Sequence, residues 1–123
     1  MRLLDSNIVL YATQQEHEAL RRDILSQPFA VSQVTRAEVI GWHRITPEDA
    51  VDLEEFLALG THLSITDEVV NKAIELRQQR KMTLGDSRIA ATALLHDLEL
   101  VTRNTGDYKH IAGLRMVNPF DGR

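Results

Sequence analysis

Residues 84–104, LGDSRIAATALLHDLELVTRN, decide how the chain is read. The turn Gly85-Asp86 opens a helix predicted over Ser87–His96, and Leu98–Thr102 follows almost at once as an apolar strand. Helix running straight into strand is one half of a strand–helix–strand repeat, with an acid at the helix start.

The same alternation extends both ways. Arg2–Asp5 reads as a short apolar strand running into Asp5-Ser6-Asn7, with a helical start over Ile8–Ala12 and a polar helix over Glu16–Leu25. Pro28–Val31 reads as a second strand, ended by Ser32, which suits the N-cap of a helix over Gln33–His43. Thr46-Pro47-Glu48-Asp49 supplies a cap, a first-turn proline and acids suited to the positive helix end. That helix is predicted to stop at a C-cap near Gly60. Thr61–Ile65 is the third strand, and Thr66-Asp67-Glu68 opens a helix with Val69, Val70, Ala73, Ile74 and Leu76 on its apolar face. Downstream, Leu114–Val117 is the fifth strand. Strands separated by helices imply an α/β fold: one domain over residues 1–123, a mainly parallel sheet of about five strands flanked by helices on both faces. Chemistry in such folds gathers at the carboxyl ends of the strands.

Bulk properties narrow the function. A length of 123 residues suits one domain with a real core, and 43% hydrophobic with 26% charged residues is an ordinary globular balance. No cysteine is present, which removes disulfides and thiolate metal sites and fits a reducing cytoplasm. MRLLDSNIVLYA has an acid at position 5 and no long apolar run, so neither a signal peptide nor a membrane span is expected. The net charge of −4 argues against a protein that holds nucleic acid by basic surface alone. It is compatible with an acidic site that borrows cations.

Three acids share one placement, at or just past an element junction: Asp5, Glu38 and Asp86. Carboxylates gathered in one pocket repel one another, and burial adds to the cost. Hard divalent cations relieve both and can polarise a phosphate. Each acid also has a structural explanation. Asp5 suits the cap of the helix near Ile8, Asp86 after Gly85 suits an N-cap, and Thr35–Glu38 matches a capping box if the helix begins at Thr35. A start at Ser32 instead puts Val34, Glu38, Gly41, Trp42 and Ile45 on one row, leaving Glu38 in an apolar stripe in need of a partner. The five histidines lack paired ligand spacing, no phosphate-binding glycine loop occurs, and neither Ser6 nor Ser32 stands in a nucleophile elbow.

Four segments in order, LLDSNIVLYA, SQVTRAEVIGW, LGDSRIAATALLHDLELVTRN and TGDYKHIAGLRMVNP, resemble the PIN-domain ribonucleases, in particular the toxin halves of bacterial VapBC-type toxin–antitoxin pairs. The likeness covers essentially the whole chain. It implies metal-dependent cleavage of RNA, with Mg²⁺ or Mn²⁺ as cofactor and an ion-activated water leaving a 5′-phosphate and a 3′-hydroxyl. By motif matching, Asp5, Glu38 and Asp86 take the positions of the family's first three acids. The fourth falls on Asp107, with Asn104 as the other candidate position and a polar helper. Ser6, Asn7 and Thr35 match residues that steady the cluster from behind. Arg36 and Arg103 stand close in sequence to the acids and are candidate RNA contacts, against the alternative of solvated surface arginines. The resemblance further implies a homodimer and a cognate antitoxin whose segment covers the active groove. Three rivals stand beside it. One is a non-catalytic PIN-like binding or assembly module. Another is a phosphatase with Asp5 as nucleophile, which the missing DxD pattern disfavours. The third is a deoxyribonuclease, since a metal cluster does not itself distinguish sugars.

Overall fold

The structure, a computed structural model, describes residues 1–121. Its strands are β1 (Arg2–Leu4), β2 (Phe29–Ser32), β3 (Thr61–Leu63), β4 (Glu99–Val101) and β5 (Met116–Val117). They form one sheet in the order β3-β2-β1-β4-β5, with every neighbouring pair parallel. In register, Leu3 lies beside Ala30 on one side and Leu100 on the other. The chain winds outward from β1 to β3, then returns to the other side of β1 to lay down β4 and β5. The order therefore reverses between β1 and β4, which is where a crevice opens at the carboxyl ends.

Six helices cover the sheet: α1 (Ser6–Ala12), α2 (Glu18–Leu25), α3 (Gln33–Ile40), α4 (Pro47–Leu57), α5 (Asp67–Gln79) and α6 (Leu84–Leu95). Alternating strand side chains feed two cores. Leu3, Ala30 and Leu100 pack with Val69, Ala73 and Leu76 of α5 and Ile89, Ala90 and Ala93 of α6. Leu4, Val31 and Val101 pack on the other face with Ile8, Val9, Ile24, Val39, Leu53 and Leu57. Leu3 and Leu4 are both fully buried. At about 1.5–3 kcal/mol for each fully buried aliphatic side chain, so short a central strand is held by its packing as much as by its ladder.

Several predicted boundaries hold because the caps are local chemistry. Ser32, Thr46 and Thr66 each accept a backbone N–H at a helix start. Others move. α1 begins at Ser6, because Asp5 is its cap. The polar stretch Glu16–Leu25 divides into a 3-10 turn, Gln15–His17, and α2. α3 stops at Ile40, with Gly41 closing it, and does not reach His43. α4 ends at Leu57; Gly60 serves packing instead, since a Cβ there would collide with the ring of Phe29. On α5 only Val69, Ala73 and Leu76 turn inward, while Val70 and Ile74 face out. No described helix is long and apolar enough to cross a membrane.

Candidate active site

Asp5 stands where β1 hands over to α1. Its backbone N–H donates to the Val101 carbonyl at 2.9 Å, continuing the β1–β4 ladder one residue past the strand. Its side chain is buried and takes three hydrogen bonds: Oδ1 from the Ser6 N–H at 2.8 Å, and Oδ2 from the Thr102 hydroxyl at 2.8 Å and the Tyr108 hydroxyl at 3.4 Å. Burial raises the carboxyl above its ordinary value and the Asp86 charge adds to the rise, while the bonds from Thr102, Ser6 and Tyr108 pull the other way. Asp5 is thus a cap and a member of a cluster at once.

Asp86 comes from the other side of the crevice. The expectation that it caps its helix fails: α6 begins at Leu84, and the Thr83 hydroxyl accepts the Asp86 N–H at 3.1 Å. With the cap supplied by Thr83, the Asp86 carboxylate is free to face β1. The Tyr108 hydroxyl also lies 3.1 Å from Asp86 Oδ1, so its single proton is shared between the two carboxylates, with Asp86 the nearer. Tyr108 is completely buried, and burial together with the charges of Asp5 and Asp86 pushes its hydroxyl far above the usual tyrosine range, which keeps it a proton donor.

Glu38 reaches the same crevice from α3. It is exposed, so the predicted apolar stripe does not exist; the helix ends before Trp42 and Ile45. The capping-box reading also fails, since Ser32 and not Thr35 caps α3. The partner of Glu38 is the Ser6 hydroxyl, which donates to Oε1 at 2.6 Å. Ser6 Oγ lies 3.2 Å from the hydroxyl of buried Thr35. Glu38 Oε2 rests against α6 at Gly85, where a Cβ would come within 2.8 Å of it. The glycine lets the Glu38 carboxylate lie close against the first turn of α6, one residue before Asp86.

The remaining candidates divide. Asp107 ends a 3-10 turn, Thr105–Asp107, and is exposed, lining with Asp86 a cleft of about 480 Å³. Asn104 offers its backbone N–H to Thr102 at 3.0 Å, and among the described residues its side chain makes no bond to the acids. Asn7 is exposed and likewise makes no such bond. Arg36 is drawn to α4, where Glu54 takes it in two bonds of 2.9 and 2.7 Å. Arg103 lies over the Phe120 ring at 4.4 Å and the Tyr11 ring at 5.2 Å. The structure therefore brings Asp5, Asp86, Glu38, Ser6 and Thr35 together and leaves Arg36 and Arg103 occupied elsewhere. Thr102 and Tyr108 escaped the sequence reading; their signal was only that they flank the fourth strand and the Asp107 turn.

The group consists of carboxylate and hydroxyl oxygens, the donor set that a hard divalent cation prefers. Like charges sharing a partly buried crevice are also what a cation would relieve. Among the described residues no three acid or histidine side chains converge closely enough to ligate an ion together. The links between the acids run through Tyr108 and Ser6.

Comparison with known proteins agrees with this architecture. The PIN domain family model matches residues 2–114. A chain of the toxin–antitoxin complex from Klebsiella pneumoniae is 31% identical, with a TM-score of 0.78 and 98% of each chain covered. FitAcB from Neisseria gonorrhoeae superposes with a TM-score of 0.80 at 24% identity, over 98% of this chain and 99% of that one. VapBC2 from Rickettsia felis, bound to a DNA fragment from its promoter, gives 0.80 at 21%, over 95% and 97%. The last two likenesses speak for the fold alone. Among curated proteins no sequence matches. With the family model spanning nearly its whole length over a five-stranded parallel sheet, the chain belongs to the PIN-domain family.

Proposed function

We propose that this protein is a metal-dependent endoribonuclease, the toxin half of a VapBC-type toxin–antitoxin pair. One observation carries the reading: Asp5, Glu38 and Asp86, scattered over the chain, are linked at the carboxyl end of β1, Asp5 to Glu38 through the Ser6 backbone N–H and hydroxyl and Asp5 to Asp86 through the Tyr108 hydroxyl. Asp5, Asp86 and Glu38 would hold Mg²⁺ or Mn²⁺, with Asp107 approaching from the cleft beyond Asp86. When bound, such an ion polarises a phosphodiester and readies a water for attack. The chain's own residues prepare the place. Thr102 and the Ser6 N–H fix the Asp5 carboxylate, Ser6 orients Glu38, and the Tyr108 hydroxyl sets the gap between Asp5 and Asp86. The choice of RNA over DNA rests on the motif resemblance.

An antitoxin partner is supported by the similarity to a chain of a toxin–antitoxin complex and by a groove of about 600 Å³ that Glu38 helps to line. Leu10, Val39, Trp42, Ile45 and Leu53 line it with Glu38 at its edge, a surface suited to an apolar segment carrying a cation. The homodimer rests on exposed Ile65, Val70, Ile74 and Leu84, which form an apolar patch open to a second copy.

A second reading, the non-catalytic PIN-like module, is favoured by the acids being joined through hydroxyls and not face to face. Digestion of a mixed RNA pool by antitoxin-free protein separates the two. The nuclease yields fragments whose ends ligate as 5′-phosphates in Mg²⁺ or Mn²⁺ and yields none in EDTA. A module leaves the pool intact in all three.

A further inference from the structure

A nuclease built on acids must still attract a polyanion. Cations near the acids are therefore part of the site, and the two that sequence proximity suggests are otherwise engaged: Arg36 with Glu54, and Arg103 over Phe120 and Tyr11. The cleft beside Asp86 has others. Arg80 and Lys81, on the segment between α5 and α6, line it together with Thr83, Asp86, Asp107 and His110. Arg80 and Lys81 are exposed, and among the described residues neither has a carboxylate partner. The Nε2 of His110 is buried with no hydrogen-bond partner.

We propose that Arg80 and Lys81 form the subsite that takes the RNA phosphodiester backbone next to the position held over the acids. The inference rests on the nuclease reading for its substrate. The shape of the charge distribution selects a polymer. A single phosphate drawn to Arg80 and Lys81 shares the cleft with Asp86 and Asp107 and is repelled by them. A strand lays two successive phosphates on Arg80 and Lys81 while the next one passes the acids, a multivalent hold that a single phosphate lacks.

The test is binding, measured in EDTA so that no cleavage intervenes. Fluorescence anisotropy of a labelled single-stranded RNA pool is followed across a salt series for the wild type, the Arg80→Gln/Lys81→Gln double variant, Arg36→Gln and Arg103→Gln. The double variant is expected to bind about tenfold more weakly. Its slope of log affinity against log salt should fall by about 1.4, two single-strand phosphate contacts. Arg36→Gln should bind as the wild type does, and inorganic phosphate at matched ionic strength should not displace the RNA. The subsite is refuted if the double variant keeps both affinity and slope, if Arg36→Gln or Arg103→Gln carries the loss instead, if free phosphate competes as well as RNA, or if the wild type binds no RNA at low salt. Failure of the nuclease reading looks different: wild-type protein binds RNA, loses it in the double variant, and cuts nothing with either metal.

Discussion

The hydroxyl of Tyr108 sits 3.4 Å from Asp5 Oδ2, although 103 positions separate the two residues. The same hydroxyl is 3.1 Å from Asp86 Oδ1. One buried phenol therefore sets the distance between two carboxylates contributed by opposite ends of the chain. Removing only its oxygen, in Tyr108→Phe, keeps the packing of the ring. The variant is expected to lose about 1 kcal/mol, or roughly 3–5 °C in Tm. Metal-dependent cleavage is expected to fall about 10- to 100-fold, the range for groups that orient ligating residues. Calorimetry and initial rates on one preparation check both; an unchanged rate would make Tyr108 a core residue only.

Asp5 links pH to stability. Its folded pKa is raised, chiefly by burial and then by Asp86, so the native state holds a proton more readily than the unfolded chain does. Ionised Asp5 therefore subtracts from stability above the raised value, and the loss is recovered as pH falls through that value towards the ordinary carboxylate range. Asp5→Asn, in metal-free buffer, should melt higher than the wild type at neutral pH by on the order of 2–4 °C. The difference should close in acid. A lower melting point at neutral pH would mean that the bonds from Ser6 and Thr102 outweigh burial.

At the start of α6, capping and site chemistry fall on different residues. Thr83→Ala removes the cap and should cost about 1 kcal/mol while Asp86 remains in place. Asp86→Asn leaves the cap intact and should change metal-free stability by less than about 0.5 kcal/mol while abolishing cleavage. Paired denaturation and activity measurements check the division, which would collapse if Asp86→Asn proved the more destabilising of the two.

Gly85→Ala probes the meeting of α3 and α6. The added Cβ would lie 2.8 Å from Glu38 Oε2. Glu38 is exposed and its end can swing away, so the fold should tolerate the change, and helix propensity gains up to about 1 kcal/mol. Displaced from Ser6, Glu38 would no longer face Asp86, and cleavage should drop at least about tenfold. Equal or higher stability with lower activity is the signature.

The sheet and the first acid were legible because each is written locally. Leu3-Leu4 followed by Asp5 shows a strand that ends in a polar turn, and Ser32, Thr46 and Thr66 carry their caps in their own hydroxyls. Asp86 was misread as a helix cap, because Gly85-Asp86 looks like a start while Thr83 does the capping. Where the side chains of Arg36 and Arg103 lie was not legible, for a different reason. Closeness in sequence to an acid says nothing of Glu54, 18 positions away, or of the Phe120 ring. Thr102 and Tyr108 become visible only once β4 is known to lie beside β1, since strand order carries them to Asp5.

The most direct measurement is cleavage of an RNA pool by antitoxin-free wild type and by Asp86→Asn, each in Mn²⁺ and in EDTA. The predicted result is cutting by the wild type in Mn²⁺ alone, with the variant folded and inactive. Wild-type cutting that persists in EDTA, or an Asp86→Asn variant that cuts at the wild-type rate, would contradict the assignment of this acid cluster as a metal-dependent nuclease site.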